Sequence, residues 1–341
     1  MDDPAHGIKR PLAPNLTSQV TGPVAVIGAG VTGASWAALF ASRGLTVRLH
    51  DKDKEALSKG LQRSQGYVHF LIDHGMADER EAEVGLAALQ PCAEISEAVE
   101  DVAFVQEAVY ESYETKSAVF EVIDLHAPRK ALVATSSSGL SISRIQGSAR
   151  YPDRCLAGHP YNPPHLIPLV EIAPGEKTTL ETVQAARVFY ESVGKAPVVL
   201  RREIPGYLAN RMSAALWREA INLVLDGVAS VADVDRAIHL GPGLRWALMG
   251  PHLLYHLGGG EGGIRYHIEH LRHAKEEIWQ DLNDWKVMPP QTTEALEQDL
   301  PRLEDLEGLA RDRDEALVRI IKEAVLSSPT LSRGKGYDDS S

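Results

Sequence analysis

His159 stands between Gly158 and Pro160 at the end of one apolar run, and Glu171 lies inside the next, Leu169-Val170-Glu171-Ile172. An imidazole titrates near working pH, so it suits a general base that removes a hydroxyl proton. A carboxylate within an apolar run is costly unless paired. A histidine partner would satisfy it, orient the ring and favour the imidazolium that forms. Taken singly, His159 reads as well as a structural histidine, and Glu171 as an edge-strand acid facing water. A third segment, Ser136-Ser137-Ser138-Gly139-Leu140, follows another apolar run. Ligands of open α/β sheets gather beyond the carboxyl ends of strands, which puts Ser138 and His159 at one crevice.

A nucleotide signal stands upstream. Gly28-Ala29-Gly30-Val31-Thr32-Gly33 matches G-x-G-x-x-G, directly after the apolar run 23–27 and at the start of a helical stretch over 32–43. That context, more than the pattern, marks a dinucleotide site. Gly28 permits the tight turn, Gly30 lets backbone approach a pyrophosphate, and Gly33 lets helix and strand pack closely. The first N–H groups of the helix, around Val31 and Thr32, turn a partial positive charge towards the phosphates. Asp51 ends the second strand, where a carboxylate accepts both ribose hydroxyls and repels the extra phosphate of NADP. NAD is therefore the expected cofactor, with Arg48 and Lys52 keeping NADP open. The competing reading is a glycine-rich turn with an unrelated acid downstream.

Positioning these groups requires alternating strands and helices. Strand-like runs cover 23–27, 46–50, 102–106, 131–135, 156–158, 169–173 and 196–200, with helical stretches between several of them. This alternation predicts an α/β fold of Rossmann type: a doubly wound, mainly parallel sheet covered on both faces. After Arg201-Arg202-Glu203-Ile204-Pro205-Gly206 the periodicity turns helical. Ala214, Leu216, Ala220, Leu223 and Val224 could share one helix face. The expected organisation is a tail over 1–20, a NAD-binding domain over 21–202, a smaller all-helical domain over 203–326, and a second tail over 327–341.

The fingerprint, Ser-Ser-Gly-Leu, His-Pro-Tyr-Asn-Pro-Pro, Leu-Val-Glu and Pro205-Gly206-Tyr207-Leu208-Ala209-Asn210-Arg211 together resemble the 3-hydroxyacyl-CoA dehydrogenase superfamily, over about residues 23 to 285. The resemblance implies that His159 is the base and Glu171 its partner. It also implies that Ser138 hydrogen-bonds the reacting oxygen, and that Asn210 helps hold the substrate and the nicotinamide end. Glu107 matches a position near the nicotinamide, and Lys116 matches a family lysine. A helical C-terminal domain that closes the site and makes a homodimer is implied as well. The stretch after Asp51 lacks the long lysine-rich arm of the CoA-using branch. Gly243-Leu244-Arg245-Trp246-Ala247, Gly250-Pro251 and the glycine-rich run 256–263 instead resemble the branch containing L-gulonate 3-dehydrogenase (lambda-crystallin) and L-carnitine dehydrogenase.

The expected activity is hydride transfer between NAD and the 3-hydroxyl carbon of a small 3-hydroxy acid. A 3-hydroxyacyl-CoA dehydrogenase, a polyketide-type ketoreductase and a non-catalytic, crystallin-like NAD-binding protein stay open. Arg245 is a candidate for the substrate carboxylate, because a guanidinium binds one bidentately; an interdomain ion pair competes equally. His267, His270 and His273 share a helix face, but no cysteine or paired acid completes a ligand set. A solvated face, not a metal site, is expected there.

Bulk properties agree with this class. A chain of 341 residues suggests two domains. A formal net charge of -12 disfavours nucleic acid and anionic membranes as partners. No apolar run reaches the roughly 20 residues of a membrane span. The two cysteines, Cys92 and Cys155, fit a reducing compartment, and a cytoplasmic location is expected.

Overall fold

The computed structural model describes residues 22–326, so the tails expected at 1–20 and 327–341 lie outside the described residues. The chain divides into two compact units, the first ending at Leu208 and the second beginning at Ala209. The division falls a few residues beyond the expected 202/203. The intervening residues stay with the first unit because Ile204 and Tyr207 pack into its core and the Leu208 N–H donates to Glu171.

Unit 1 holds an eight-stranded sheet. Its strands are β1 (Val24–Ile27), β2 (Val47–His50), β3 (Leu89–Cys92), β4 (Phe104–Glu107), β5 (Leu132–Thr135), β6 (Cys155–Pro160), β7 (Leu169–Pro174) and β8 (Ala196–Val199). Their order is β3-β2-β1-β4-β5-β6-β7-β8. All neighbours pair in parallel except β6 and β7. The connection over 161–168 is too short for a crossover, so the chain turns back antiparallel. Strands β1, β4 and β5 are buried throughout, which is why they read as continuous apolar runs.

Helices α1 (Val31–Ala41), α2 (Lys54–Asp73), α3 (Glu79–Ala87), α4 (Ile95–Val99), α5 (Tyr113–His126), α6 (Ile142–Ile145) and α7 (Leu180–Ser192) accompany the sheet. One core layer joins α1, α2 and α7 to the sheet through Trp36, Phe40, Phe104, Phe189 and Tyr190. Phe104 and Phe189 stack with ring centroids 3.9 Å apart. The opposite layer joins α4, α5 and α6 through Val99, Phe120, Ile123, Ile142 and Ile145. Side-chain caps fix the helix starts: Asp53 for α2, Ser112 for α5, Ser141 for α6 and Thr179 for α7. The stretch after Asp51 forms a 20-residue helix whose lysines are Lys54 and Lys59. Strand β3 follows it, ahead of where the sequence suggested the next strand.

Unit 2 contains α8 (Ala209–Leu225), α9 (Val231–Leu240), α10 (Pro242–Trp246), α11 (Pro251–Gly258), α12 (Gly263–Asp281), α13 (Thr292–Glu297) and α14 (Leu306–Ile320), with no strand among its described residues. Of the expected stripe on α8, Leu216, Ala220, Leu223 and Val224 are half-buried. Ala214 is exposed and Ile221 is the buried residue. The reason is the segment after α12: Arg218 donates to the Trp285 carbonyl, Glu219 accepts from the Asn283 N–H, and Asn222 accepts from the Asn283 amide. Those three bonds seat that segment on the Ile221 side of the helix. Among the described residues no helix is long and apolar enough to cross a membrane.

Candidate active site

The antiparallel pair β6/β7 sets His159 directly opposite Glu171 in register. His159 is 3% exposed and Glu171 1%. His159 Nδ1 lies 3.0 Å from Glu171 Oε2, and His159 Nε2 lies 3.1 Å from Ser138 Oγ. A carboxylate accepts only, so Nδ1 carries the ring hydrogen and Nε2 turns a lone pair towards Ser138. The other carboxylate oxygen, Oε1, accepts from the Leu208 N–H at 2.8 Å. The Tyr207 ring lies beside the imidazole, with centroids 4.9 Å apart. Ser138, His159 and Glu171 therefore form one hydrogen-bonded line, from an exposed serine to a sealed acid.

The Ser138 loop is held by a residue that sequence reasoning missed. Glu111 accepts from Ser137 Oγ at 2.6 Å, from the Ser138 N–H at 3.0 Å and from the Gly139 N–H at 3.1 Å. Burial pushes the Glu111 carboxyl up, but the Ser137 bond, the Lys116 charge and the Gly139 bond outweigh it and hold the carboxyl below its ordinary range. The available signal was an acid just beyond the carboxyl end of β4, the edge of the sheet where the serine loop begins. Behind the loop, Gln106 donates to Ser136 Oγ at 2.8 Å and accepts from the Tyr190 hydroxyl at 2.7 Å.

Glu107 and Lys116 are both buried, and Lys116 Nζ lies 2.7 Å from Glu107 Oε1. Glu107 also accepts from the Thr135 hydroxyl at 2.5 Å and the Val109 N–H at 2.6 Å. Lys116 Nζ reaches the Val109 carbonyl at 3.1 Å. Burial pushes the Glu107 carboxyl up, opposed by Lys116 and these bonds. The pair faces inward and clamps the backbone of the loop after β4.

The glycine loop ends β1, at the same edge of the sheet. Gly28 has φ 106°, and a Cβ on it would meet the Ala108 carbonyl oxygen at 2.5 Å. A Cβ on Gly33 would stand 1.8 Å from the Gly28 oxygen, so helix and loop pack in direct contact. Around Gly30 no atom lies within 4 Å of such a Cβ, so that side of the loop is open. Gly30 caps α1 without a side-chain acceptor, and Val31 is exposed, with Thr32 partly so. An open glycine, a helix start with no side-chain cap and no acid in its first turn fit a dinucleotide pyrophosphate. Asp51 Oδ2 accepts from the Ala29 N–H at 2.8 Å and Oδ1 from the Asp53 N–H at 3.0 Å. Each oxygen keeps a second lone pair for a ribose hydroxyl.

The remaining expected site residues belong to unit 2. Asn210 lies in the first turn of α8, and Arg245 is exposed on α10. Of the α12 histidines, His267 packs on Tyr255, His270 stacks on Tyr266, and His273 lies 3.5 Å from Glu277.

The comparisons with known proteins bear on the family and the fold. The family model for the 3-hydroxyacyl-CoA dehydrogenase NAD binding domain matches residues 23–204, and that for the C-terminal domain matches 206–296. An L-carnitine dehydrogenase of Oceanobacillus iheyensis is 37% identical over 304 residues, covering 87% of this chain and 96% of its own length. One from Nocardiopsis dassonvillei is 39% identical over 268 residues, covering 78% and 80%. Among solved structures, 5-formyl-3-hydroxy-2-methylpyridine 4-carboxylic acid 5-dehydrogenase, an NAD-dependent dismutase, superposes with a TM-score of 0.79 at 28% identity, covering 88% of this chain and 97% of its own. With both family models matched over most of its length, the chain belongs to the 3-hydroxyacyl-CoA dehydrogenase family.

Proposed function

We propose that this protein is an NAD-dependent oxidoreductase acting on the 3-hydroxyl of a small 3-hydroxy acid, with His159 as general base. The line Ser138–His159–Glu171, at the sheet edge that carries the glycine loop, is the observation that supports this most directly. NAD, when bound, supplies the hydride acceptor. His159 Nε2 takes the hydroxyl proton, Ser138 holds the oxygen that becomes the carbonyl, and Glu171 stabilises the imidazolium. Gly28, Gly30, Val31, Thr32 and Gly33 cradle the pyrophosphate, and Asp51 takes the ribose. Glu107 and Lys116 serve the nicotinamide end by fixing the Val109 backbone. Asn210 and Arg245 are assigned to substrate on their motifs alone, Asn210 for the developing carbonyl and Arg245 for the carboxylate.

A panel of L-carnitine, L-gulonate, 3-hydroxybutyrate and acetoacetyl-CoA, run with the NAD and NADP couples and read at the NADH absorbance band, tests this reading. Turnover of a free 3-hydroxy acid with NAD is expected. Turnover confined to acetoacetyl-CoA would favour the thioester reading. Cofactor binding with no turnover would favour a crystallin-like role.

A homodimer through unit 2 and a cytoplasmic location complete the proposal. In support of the first, a groove of about 490 Å³ on α11 and α12 is lined by Tyr255, Ile264, Ile268, Leu271 and Trp279, with Trp279 67% exposed. Light scattering that returned a monomer mass would remove it. In support of the second, Cys92 and Cys155 are free thiols.

A further inference from the structure

One buried ammonium holds the chain on both sides of Tyr110. Lys116 Nζ lies 3.1 Å from the Val109 carbonyl and 3.3 Å from Glu111 Oε2. The Val109 N–H donates to Glu107 at 2.6 Å, and the Ser112 N–H donates to the Tyr110 carbonyl at 2.9 Å. The backbone is therefore fixed before, at and after Tyr110. Its side chain is not enclosed: it is 79% exposed. Among the described residues of unit 1 it is the only exposed phenylalanine, tyrosine or tryptophan. Ordering a loop costs conformational entropy, and here a buried ion pair is spent on displaying one ring to solvent.

The residues around Tyr110 touch both halves of the candidate site. On one side, a Cβ on Gly28 would meet the Ala108 carbonyl oxygen at 2.5 Å and the Val109 nitrogen at 2.9 Å, so the glycine loop packs on the residues just before Tyr110. On the other side, Glu111 accepts from the Ser138 and Gly139 N–H groups. Residues 108–111 thus bridge the glycine loop and the serine loop. The bridge leaves β4 beside β1, where the strand order reverses, with β2 on one flank of β1 and β4 on the other. Ligands of open α/β sheets sit in the crevice at such a reversal. A dinucleotide with its pyrophosphate on the glycine loop and its reacting carbon near Ser138 runs along this bridge, and the part that does so is the nicotinamide riboside.

We infer that Tyr110 is a cofactor-contact residue: its ring packs on the nicotinamide riboside of NAD, between the glycine loop and Ser138. This rests on the proposed seat of NAD and adds a contact to it. The nicotinamide is flat and, when oxidised, cationic, and both properties suit the face of a phenol. Packing there takes apolar area of both partners out of water. The ring carries the contact, so phenylalanine serves in its place.

The test is calorimetry on the full chain with NADH and with ADP, which keeps the adenosine and both phosphates but lacks the nicotinamide riboside. Tyr110→Ala should raise the Kd for NADH about threefold to tenfold and leave that for ADP within about twofold. Tyr110→Phe should keep both within about twofold. The side chain is exposed, so the thermal midpoints of both variants should match the wild type. An unchanged Kd for NADH in Tyr110→Ala, an equal weakening of ADP, or a loss in Tyr110→Phe as large as in Tyr110→Ala overturns the assignment while the seat of NAD stands. Wild-type protein that binds neither NADH nor ADP overturns the seat itself, and the Tyr110 contact with it.

Discussion

Glu171 and Glu107 are both buried carboxylates in unit 1, yet they meet different bases. Glu171 faces a histidine whose second nitrogen looks out to an exposed serine. Glu107 faces a lysine, and the two charges are spent on each other, on Thr135, on the Val109 backbone and, 3.3 Å from Lys116, on Glu111. An imidazole can gain and lose its proton near neutral pH; a salt-bridged ammonium is a fixed charge. The first pair ends on a serine at the surface and suits chemistry. The second ends on backbone and suits holding a loop still. A third buried base extends the contrast. Lys195 donates to the Pro164 and Ile167 carbonyls, both at 2.7 Å, and among the described residues no carboxylate pairs with it. Burial lowers it to about 7, and a neutral amine has two hydrogens for its two acceptors.

The sharpest break in this contrast comes at the working pair. His159→Ala should cut kcat by a factor on the order of 10²–10⁴, with NAD affinity unchanged by calorimetry. Glu171→Gln should cost nearly as much. An amide can donate to Nδ1, which moves the ring hydrogen to Nε2 and turns a donor towards Ser138. The double variant should be little worse than either single one; full additivity would mean the two do not act as a unit.

Next is the holding pair. Lys116→Met leaves Glu107 buried without its cation, and urea unfolding should show a loss of about 3–5 kcal/mol. Adding Glu107→Gln removes the stranded charge and should recover much of it. A loss below about 1 kcal/mol would place this pair with surface ion pairs.

The smallest effect is at Lys195. Its folded pKa lies below the unfolded value, so the unfolded chain binds the extra proton between about 7 and 10.5. Stability contributed here rises with pH across that window and is flat below it. Lys195→Met should flatten the slope of urea midpoints between about pH 7 and pH 9. Identical slopes in both proteins would reject the lowered value.

What could be read in the chain follows the same physics. Strands β1, β4 and β5 announce themselves because burial on both faces demands uninterrupted apolar runs. Leu89-Gln90-Pro91-Cys92 does not, because β3 is an edge strand with its two central residues exposed and a proline among them. Within the site, His159 and Glu171 were legible because each is anomalous in its own apolar segment, whereas Ser138, one of three consecutive serines, was singled out by the family resemblance. Glu111 was not legible: it fixes the serine loop from 27 positions away, and its one mark, a place just beyond the carboxyl end of β4, does not point to that loop. The left-handed backbone of Tyr207 was equally silent, since an aromatic after Pro-Gly reads as ordinary core. The stripe on α8 missed Ile221 because periodicity gives a face but not the neighbour that covers it.

The single reversal in the sheet ties the proposed catalysis to fold proofreading. His159 and Glu171 meet only because one strand runs against its neighbour with residue 159 facing residue 171. Sliding either strand by one position would flip the imidazole and the carboxylate to opposite sides of the sheet. A chain that closes this hairpin out of step can still collapse and bury its apolar residues, but it loses the His159–Glu171 pair. Turnover per bound cofactor would then count correctly zipped molecules in a refolded sample, where circular dichroism would see little difference.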